Sequence, residues 1–175
     1  MKKWLIILCF LTVLICFFVF ITYKPLPDVN SVQNQFLDNY DSISIITAFM
    51  ESSGYENIYI YDDSGVMVAD LEERQIDDTL VFETVKHLIK SGKYVRIAKR
   101  GNTIWFLQKK RIRNVGCGIA YTINGTDKPQ IDYVTDLVAL SAENWYYYAY
   151  DYEAMRSSRT VDTSCISTEK PTDPK

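Results

Sequence analysis

The feature that most constrains this chain is an uninterrupted apolar segment near its start. The 20 residues at 4–23 contain no charged side chain, with two lysines before them and Lys24 after them. At about 1.5 Å per residue, such a segment forms a helix of roughly 30 Å, which matches the hydrocarbon core of a bilayer. The segment therefore predicts a single membrane-spanning helix and makes the lipid bilayer the expected partner of residues 4–23.

A cleaved secretory signal is the main alternative for this segment. Such signals usually have an apolar core of about 7–15 residues that ends in small residues, whereas this segment is longer and ends in the sequence FITY. Lipid attachment at Cys9 or Cys16 is a further alternative, which the bulky residue before each cysteine disfavours. We therefore expect an uncleaved anchor, and whether cleavage occurs stays open.

Lysine placement predicts the orientation of the anchor. Two lysines and the amino terminus precede the apolar segment and one lysine follows it, so the positive-inside bias puts the amino terminus in the cytoplasm. The expected localisation is the cell membrane, as a single-pass protein with its domain outside the cytoplasm. A stub at 1–3 is too short to hold an effector domain, so any signal has to pass through the membrane helix or another protein.

The rest of the chain has the length of one domain, because about 120 residues is close to the commonest domain size. A proline-containing connector and a polar tail flank this expected domain. The predicted organisation is a cytoplasmic stub at 1–3, a membrane anchor at 4–23, a connector at 24–30, an extracytoplasmic α+β domain at 31–155 and a polar tail at 156–175.

Net charge narrows the choice of partners. Three of the 19 Lys and Arg residues lie at or before residue 24, whereas all 22 Asp and Glu residues lie after it, so the later part carries a formal charge of −6. An acidic chain repels a phosphate backbone, and no nucleic acid partner is expected.

Hydrophobic periodicity predicts an α+β domain in which an antiparallel sheet is flanked by two helices. Apolar residues at three- and four-residue steps indicate helices at 31–53 and 78–91. Strands are expected at 58–61, 66–69, 94–99, 103–108, 115–123, 131–139 and 145–152.

The order of these elements resembles a known class of domain. A membrane helix that leads into a second helix and then a short-turn hairpin is similar to extracytoplasmic sensor domains of the PAS/Cache type. The resemblance covers the element order of the part after the anchor. It implies a ligand pocket inside the core of the domain.

A row of tyrosines is the first candidate binding surface. Tyr146, Tyr148, Tyr150 and Tyr152 alternate along the last predicted strand, so they share one face over roughly 20 Å. Tyrosine combines a large contact area with a hydroxyl, which suits recognition of a peptide or glycan. Aromatic residues also favour strands in general, and a packed sheet face is the alternative interpretation.

Basic residues around a predicted hairpin form the second candidate surface. They could attract an anionic ligand or the acidic surface of a partner, or they could protect solvated edge strands. The basic residues predicted to contact a ligand or partner are Arg96, Lys99, Arg100, Lys109, Arg111 and Arg113.

Two cysteines follow the anchor, Cys117 and Cys165. In an oxidising compartment they can form a disulfide, which would stabilise the fold by about 4 kcal/mol on the chain-entropy model. Free structural thiols are the alternative. A reactive Cys117 would need a base or an electropositive setting, for which the sequence gives no evidence.

Signatures of catalysis and of metal binding are missing from the sequence. The single histidine, His87, is expected on the polar side of the second helix. No zinc-ligand spacing, P-loop, dinucleotide fingerprint or nucleophile motif occurs. No cofactor or metal is predicted, and the chain is expected not to be an enzyme. A hydrolase with two carboxylates stays open, because acids that meet in a fold need not be close in sequence.

Together these features predict a membrane-anchored extracytoplasmic binding, sensory or accessory domain. It would act through a membrane or envelope protein partner or through a small ligand. An inhibitor or immunity-type protein that blocks an envelope toxin or enzyme is the alternative. A deep pocket in the core would favour ligand sensing, whereas a flat aromatic and charged surface would favour a protein partner.

Overall fold

The computed structural model of the chain describes residues 11–14, 26–110, 115–125 and 127–153. Residues 11–14 are helical, and the rest of the predicted membrane segment lies outside the described ranges. Among the described residues, no helix has the length and apolar character needed to cross a bilayer. The membrane-spanning helix is therefore unsupported by the structure and stays a prediction.

Between residues 26 and 151, the described chain contains three helices. The single helix predicted at 31–53 is wrong, because the chain leaves the helical conformation at Asn39, where φ is −122°. The side-chain amide of Asn39 donates a hydrogen bond to the backbone carbonyl of Gln35 at 2.6 Å. Such bonds to nearby backbone compete with a continuous helix. The helices are α1 at Val29–Asp38, α2 at Tyr40–Ser52 and α3 at Thr79–Lys90.

The helix predicted at 78–91 is confirmed as α3. Its start is fixed by Asp78, whose Oδ1 accepts hydrogen bonds from the backbone N–H of Leu80 at 2.8 Å and of Val81 at 3.0 Å. Those donors have no partner within the helix, so the carboxylate stabilises this end. The chain leaves the helix through Gly92, whose φ of 70° is favoured by glycine.

The described strands form one sheet of eight, and every neighbouring pair is antiparallel. The order across the sheet is β3-β2-β1-β4-β5-β6-β8-β7. The predicted α+β class with an antiparallel sheet is confirmed. The strands are β1 at Asn57–Ile60, β2 at Val66–Ala69, β3 at Glu72–Gln75, β4 at Arg96–Arg100, β5 at Thr103–Lys110, β6 at Val115–Thr122, β7 at Val134–Ala139 and β8 at Trp145–Asp151.

Strand β3 is missing from the sequence-based prediction. Its residues are all polar and all exposed, so it lacks the apolar alternation that identifies a strand. It forms because Asp70 and Leu71 adopt φ values of 46° and 74°, which turn the chain back alongside β2. A leucine rarely adopts this conformation, and the sequence therefore has no turn signal here.

The hydrophobic core lies between the helices and one face of the sheet. Phe36 of α1 contacts Trp145 of β8, with 4.8 Å between ring centroids, and Phe106 of β5 contacts the same indole at 6.1 Å. Alternation along β1 directs Ile58 and Ile60 into this core. Full burial of side chains of this size stabilises a fold by about 1.5–3 kcal/mol each.

The opposite face of the sheet, here called the helix-free face, is not covered by α1, α2 or α3. Register across the central strands places large and small side chains side by side on that face, as in the row Tyr59, Ala98, Trp105, Ala120 and Tyr146. The small residues leave room for the neighbouring rings. This face is the surface on which a ligand can reach the sheet.

Gly118 of β6 is the smallest member of a second row on this face, which runs Arg96, Leu107, Gly118 and Tyr148. A Cβ at Gly118 would overlap the backbone carbonyl oxygen of Phe106 and would lie 3.0 Å from the Tyr148 hydroxyl. The end of the Tyr148 side chain therefore lies against the glycine, which resembles the aromatic rescue of a strand glycine.

We predict that Gly118→Ala lowers the free energy of unfolding by about 2–3 kcal/mol, because the added carbon has to displace backbone in a packed site. Urea unfolding of the full chain, followed by tryptophan fluorescence, measures this loss. Gly54→Ala is the control: its Cβ would meet nothing within 4 Å, although its φ is 75°, and it should lose only about 1 kcal/mol. Equal losses would mean that β6 has room for a side chain at residue 118.

Candidate functional site

A groove of about 550 Å³ lies on the helix-free face of the sheet and is open to solvent. Its size is within the range of small-ligand sites, which is about 300–1,000 Å³. Aromatic rings, two arginines and one carboxylate surround it. The lining residues are Tyr59, Arg96, Arg100, Trp105, Gln130, Ile131, Asp132, Tyr133, Tyr148, Tyr150 and Tyr152.

Strand alternation explains why these side chains meet. On β4, Ile97 points into the core, so Arg96 and Arg100 project from the other face. On β5, Trp105 lies between the core residues Ile104 and Phe106 and therefore projects into the groove. The sheet itself thus positions most of the site, and strands are more rigid supports than loops.

Tyr148 lies in the wall of the groove, with its side chain almost fully buried and its ring stacked on Tyr150 at 6.3 Å. Its hydroxyl oxygen is buried and has no hydrogen-bond partner among the described residues. Burial raises the pKa of Tyr148 well above its usual range, and the charge of Arg96 opposes that rise. The hydroxyl therefore keeps its proton at neutral pH.

Arg96 differs from the other arginine of the groove in having no carboxylate partner within the described part of the chain. Its Nε is buried and makes no hydrogen bond there. Arg100, in contrast, forms an ion pair in which its Nη1 lies 3.1 Å from Oδ2 of Asp132. Among the described residues, the positive charge of Arg96 thus has no carboxylate partner, and it also opposes the rise in the pKa of Tyr150 that burial causes.

The loop before β7 closes one side of the groove. Tyr133 contacts Tyr152 edge to face at 4.8 Å, and its φ of 63° is uncommon for a residue with a large side chain. The backbone N–H of Asp151 donates to the Tyr133 carbonyl at 3.1 Å, which holds the loop against β8. A strained backbone of this kind is found most often at functional sites.

A second cavity of about 430 Å³ adjoins the first and shares with it Arg100 and three residues of the same loop. Its lining is more polar and includes Thr103, Asn124 and Lys128. Thr122 also lines it, and the Oγ1 of that threonine is buried without a partner among the described residues. The two cavities together form a double groove. Four buried side-chain atoms have no hydrogen-bond partner among the described residues. Three of them belong to the groove residues Arg96, Tyr148 and Thr122, and the fourth belongs to Gln108.

The structure brings together five of the residues predicted to bind a ligand or partner. Tyr148, Tyr150 and Tyr152 line the first cavity with Arg96 and Arg100. Tyr146 lies on the same strand, is half-buried and does not line the groove. The tyrosine row and the basic hairpin, predicted as separate surfaces, thus contribute to one site.

The structure corrects the prediction that Lys99 contacts a ligand or partner. Alternation along β4 places it on the helix side, where it is only 6% exposed and its Nζ donates to the Met50 carbonyl at 2.7 Å. It therefore binds the end of α2 rather than a ligand. The alternative interpretation, that the basic residues protect edge strands, is wrong for β4 and β5, because both are interior strands. Arg111, Arg113 and the side chain of Lys109 lie outside the described residues.

Cys117 is buried on the core side of β6. Its predicted partner, Cys165, lies outside the described residues, so the disulfide stays a prediction. No cluster of three or more potential metal ligands occurs in the part of the chain that the structure describes.

Sequence reasoning missed Tyr59, Trp105, Asp132 and Tyr133 as groove residues. Tyr59 and Trp105 each alternate with isoleucine or phenylalanine in a predicted strand. This alternation could have predicted that both side chains lie on the face opposite the core. Asp132 and Tyr133 have no such signal, because their loop reaches the groove only through the folded sheet.

No protein-family model, curated protein or solved structure matches this chain.

We predict that Tyr148→Phe leaves the free energy of unfolding unchanged or raises it by up to about 1 kcal/mol, because a buried hydroxyl without a partner is unfavourable. Tyr147→Phe is the control on the same strand. The Tyr147 hydroxyl donates to the Pro27 carbonyl at 3.4 Å, so its removal should lower stability slightly. Urea unfolding measures both changes, and a loss above about 1 kcal/mol for Tyr148→Phe would show that its hydroxyl has a partner.

Proposed function

We propose that the chain is a membrane-anchored extracytoplasmic binding domain and that the groove on the helix-free face of its sheet holds the ligand. The observation that carries this proposal is the groove itself. A concave site lined by aromatic rings surrounds an arginine whose charge has no carboxylate partner among the described residues.

The shape of the site favours a ligand that enters it over a protein that covers a flat surface. Ligand sites are typically concave, with apolar walls and a few polar groups that orient the ligand. Here the walls are tyrosine and tryptophan rings, and the polar groups are Arg96, Arg100 and Asp132. A sensory or accessory role would follow if the bound domain then contacts a membrane or envelope protein.

The location of the groove differs from that implied by the PAS/Cache-type resemblance. That resemblance placed the ligand in the core, between helices and sheet, where Phe36, Phe106 and Trp145 pack together. The groove lies on the other side of the sheet. The proposal therefore rests on the groove residues and not on the resemblance.

The proposal of a membrane anchor is based on the apolar segment at 4–23 and its flanking lysines. Residue 26, where the described domain begins, follows this segment after two residues. The domain would thus lie close to the membrane surface. Its ligand would be available outside the cytoplasm.

We predict that small ring-containing molecules bind in the groove. The test screens a library of neutral, cationic and anionic fragments against the full chain purified in a non-ionic detergent. Fragments that bind should shift the NMR signals of Trp105, Tyr150 and their neighbours. Tyr150→Ser should weaken this binding about fivefold or more, since truncating an aromatic contact at a binding site often costs over 1 kcal/mol.

The matched control is Tyr146→Ser, which removes a half-buried tyrosine from the same strand outside the groove. It should leave fragment binding unchanged. Binding that maps to other surfaces, or that both variants weaken equally, would contradict the proposed site.

We also predict that a phosphatase active only outside the cytoplasm is active when fused after residue 153 in a bacterial host. The same fusion without residues 1–24 is the control and should be inactive, because the apolar segment is needed for export. Protease added to cells with a permeable outer layer should digest the domain. An inactive fusion and a protected domain would place it in the cytoplasm and contradict this part of the proposal.

A further inference from the structure

We propose that the ligand of the double groove is an acidic oligosaccharide, whose carboxylate binds Arg96 and whose sugar rings lie on the surrounding aromatic side chains. This inference rests on the proposed function and specifies the chemical class of the ligand. It follows from the charge, the lining and the length of the groove.

Charge identifies the anionic part of the ligand. Arg96 and Tyr148 belong to one row across the sheet, separated by Leu107 and Gly118. The Tyr148 hydroxyl lies beside Gly118, and Arg96 lines the groove without a carboxylate partner among the described residues. A guanidinium binds a planar carboxylate through two parallel hydrogen bonds, which makes the carboxylate the natural acceptor.

The neighbouring rings identify the body of the ligand. Tyr59, Trp105 and Tyr150 line the same cavity as Arg96, and each offers an apolar face with a small number of rotatable bonds. The C–H groups of a pyranose ring pack well on such faces, while the sugar hydroxyls remain free for polar partners. A ligand made only of polar groups would leave these rings uncovered.

The second cavity indicates a ligand longer than one ring. It continues from the first past Arg100 and is lined by hydroxyl, amide and charged side chains. Sugar hydroxyls both donate and accept hydrogen bonds, so they match such a mixed lining. A single aromatic acid would occupy only part of the first cavity and leave the second without a ligand group.

An acidic peptide fits the site less well. Extended peptides commonly bind by pairing their backbone with the free edge of a sheet. The strands under the groove, β1, β4, β5 and β8, each pair with a strand on both sides. Their backbone groups are therefore used within the sheet, and only side chains face the ligand.

The test is calorimetric titration of the full chain, in non-ionic detergent, with a linear trimer of galacturonic acid. Neutral galactotriose, benzoate and a capped tripeptide of glutamate are the comparison ligands. The acidic trisaccharide should bind at least tenfold more tightly than each of them. Tryptophan fluorescence should change on binding, because Trp105 lines the groove.

Three substitutions locate the carboxylate. Arg96→Gln should weaken binding of the acidic trisaccharide at least tenfold, to the level of the neutral one, and Arg96→Lys should weaken it less. Arg74→Gln is the matched control, since Arg74 lies on edge strand β3 and pairs with Glu72. It should have no effect, and circular dichroism confirms that each variant is folded.

Asp132→Asn should increase the affinity for the acidic trisaccharide, an effect that misfolding cannot produce. The Asp132 side chain is 72% exposed and pairs with Arg100 at the junction of the two cavities. Loss of its negative charge should tighten binding of the acidic trisaccharide about two- to fivefold, the effect of one exposed charge pair. Affinity for galactotriose should stay the same.

The outcomes separate this inference from the proposed function. Equal affinity for the acidic and neutral trisaccharides, or tighter binding of benzoate or of the peptide, overturns the inference and leaves a groove that binds another class of ligand. Fragments that bind in the groove while no saccharide binds also overturn it. If neither saccharides nor fragments bind there, the inference and the proposed function fail together.

Discussion

One-sided burial of a single antiparallel sheet is the constraint on which the rest of the structure depends. Every strand directs successive side chains to opposite faces, and the described helices cover only one of them. Ile58, Ile97 and Phe106 enter the core on that side, while their immediate neighbours in sequence are left on the other. The groove is therefore built by the same strands that build the fold, from the positions that alternate with the core residues.

The helix-free face of the sheet is stabilised without a covering layer in the described part of the chain. Large rings alternate with Ala98, Gly118 and Ala120 across the strands, so the rings cover the small residues and shield the backbone. This packing buries polar atoms of Arg96 and Tyr148 without giving them partners among the described residues. Unpartnered buried groups are unfavourable for stability.

Much of the architecture follows from local patterns. Apolar periodicity predicted α3, and strand patterns predicted β4, β5, β7 and β8. Strand β3 and the break at Asn39 were not predictable in this way. The first lacks an apolar side chain, and the second depends on a local hydrogen bond that competes with a helix.

Local sequence patterns determine the class of the fold, the alternation that puts tyrosines and arginines on one face, and the apolar segment that predicts an anchor. The assembled sheet decides that Arg96 and Tyr148 share a row, that Lys99 binds the end of α2, and that Asp132 and Tyr133 complete the groove. Strand periodicity is encoded over a few residues and can be read along the chain. Strand order and register join residues that are far apart in sequence, so the site exists only once the sheet has assembled.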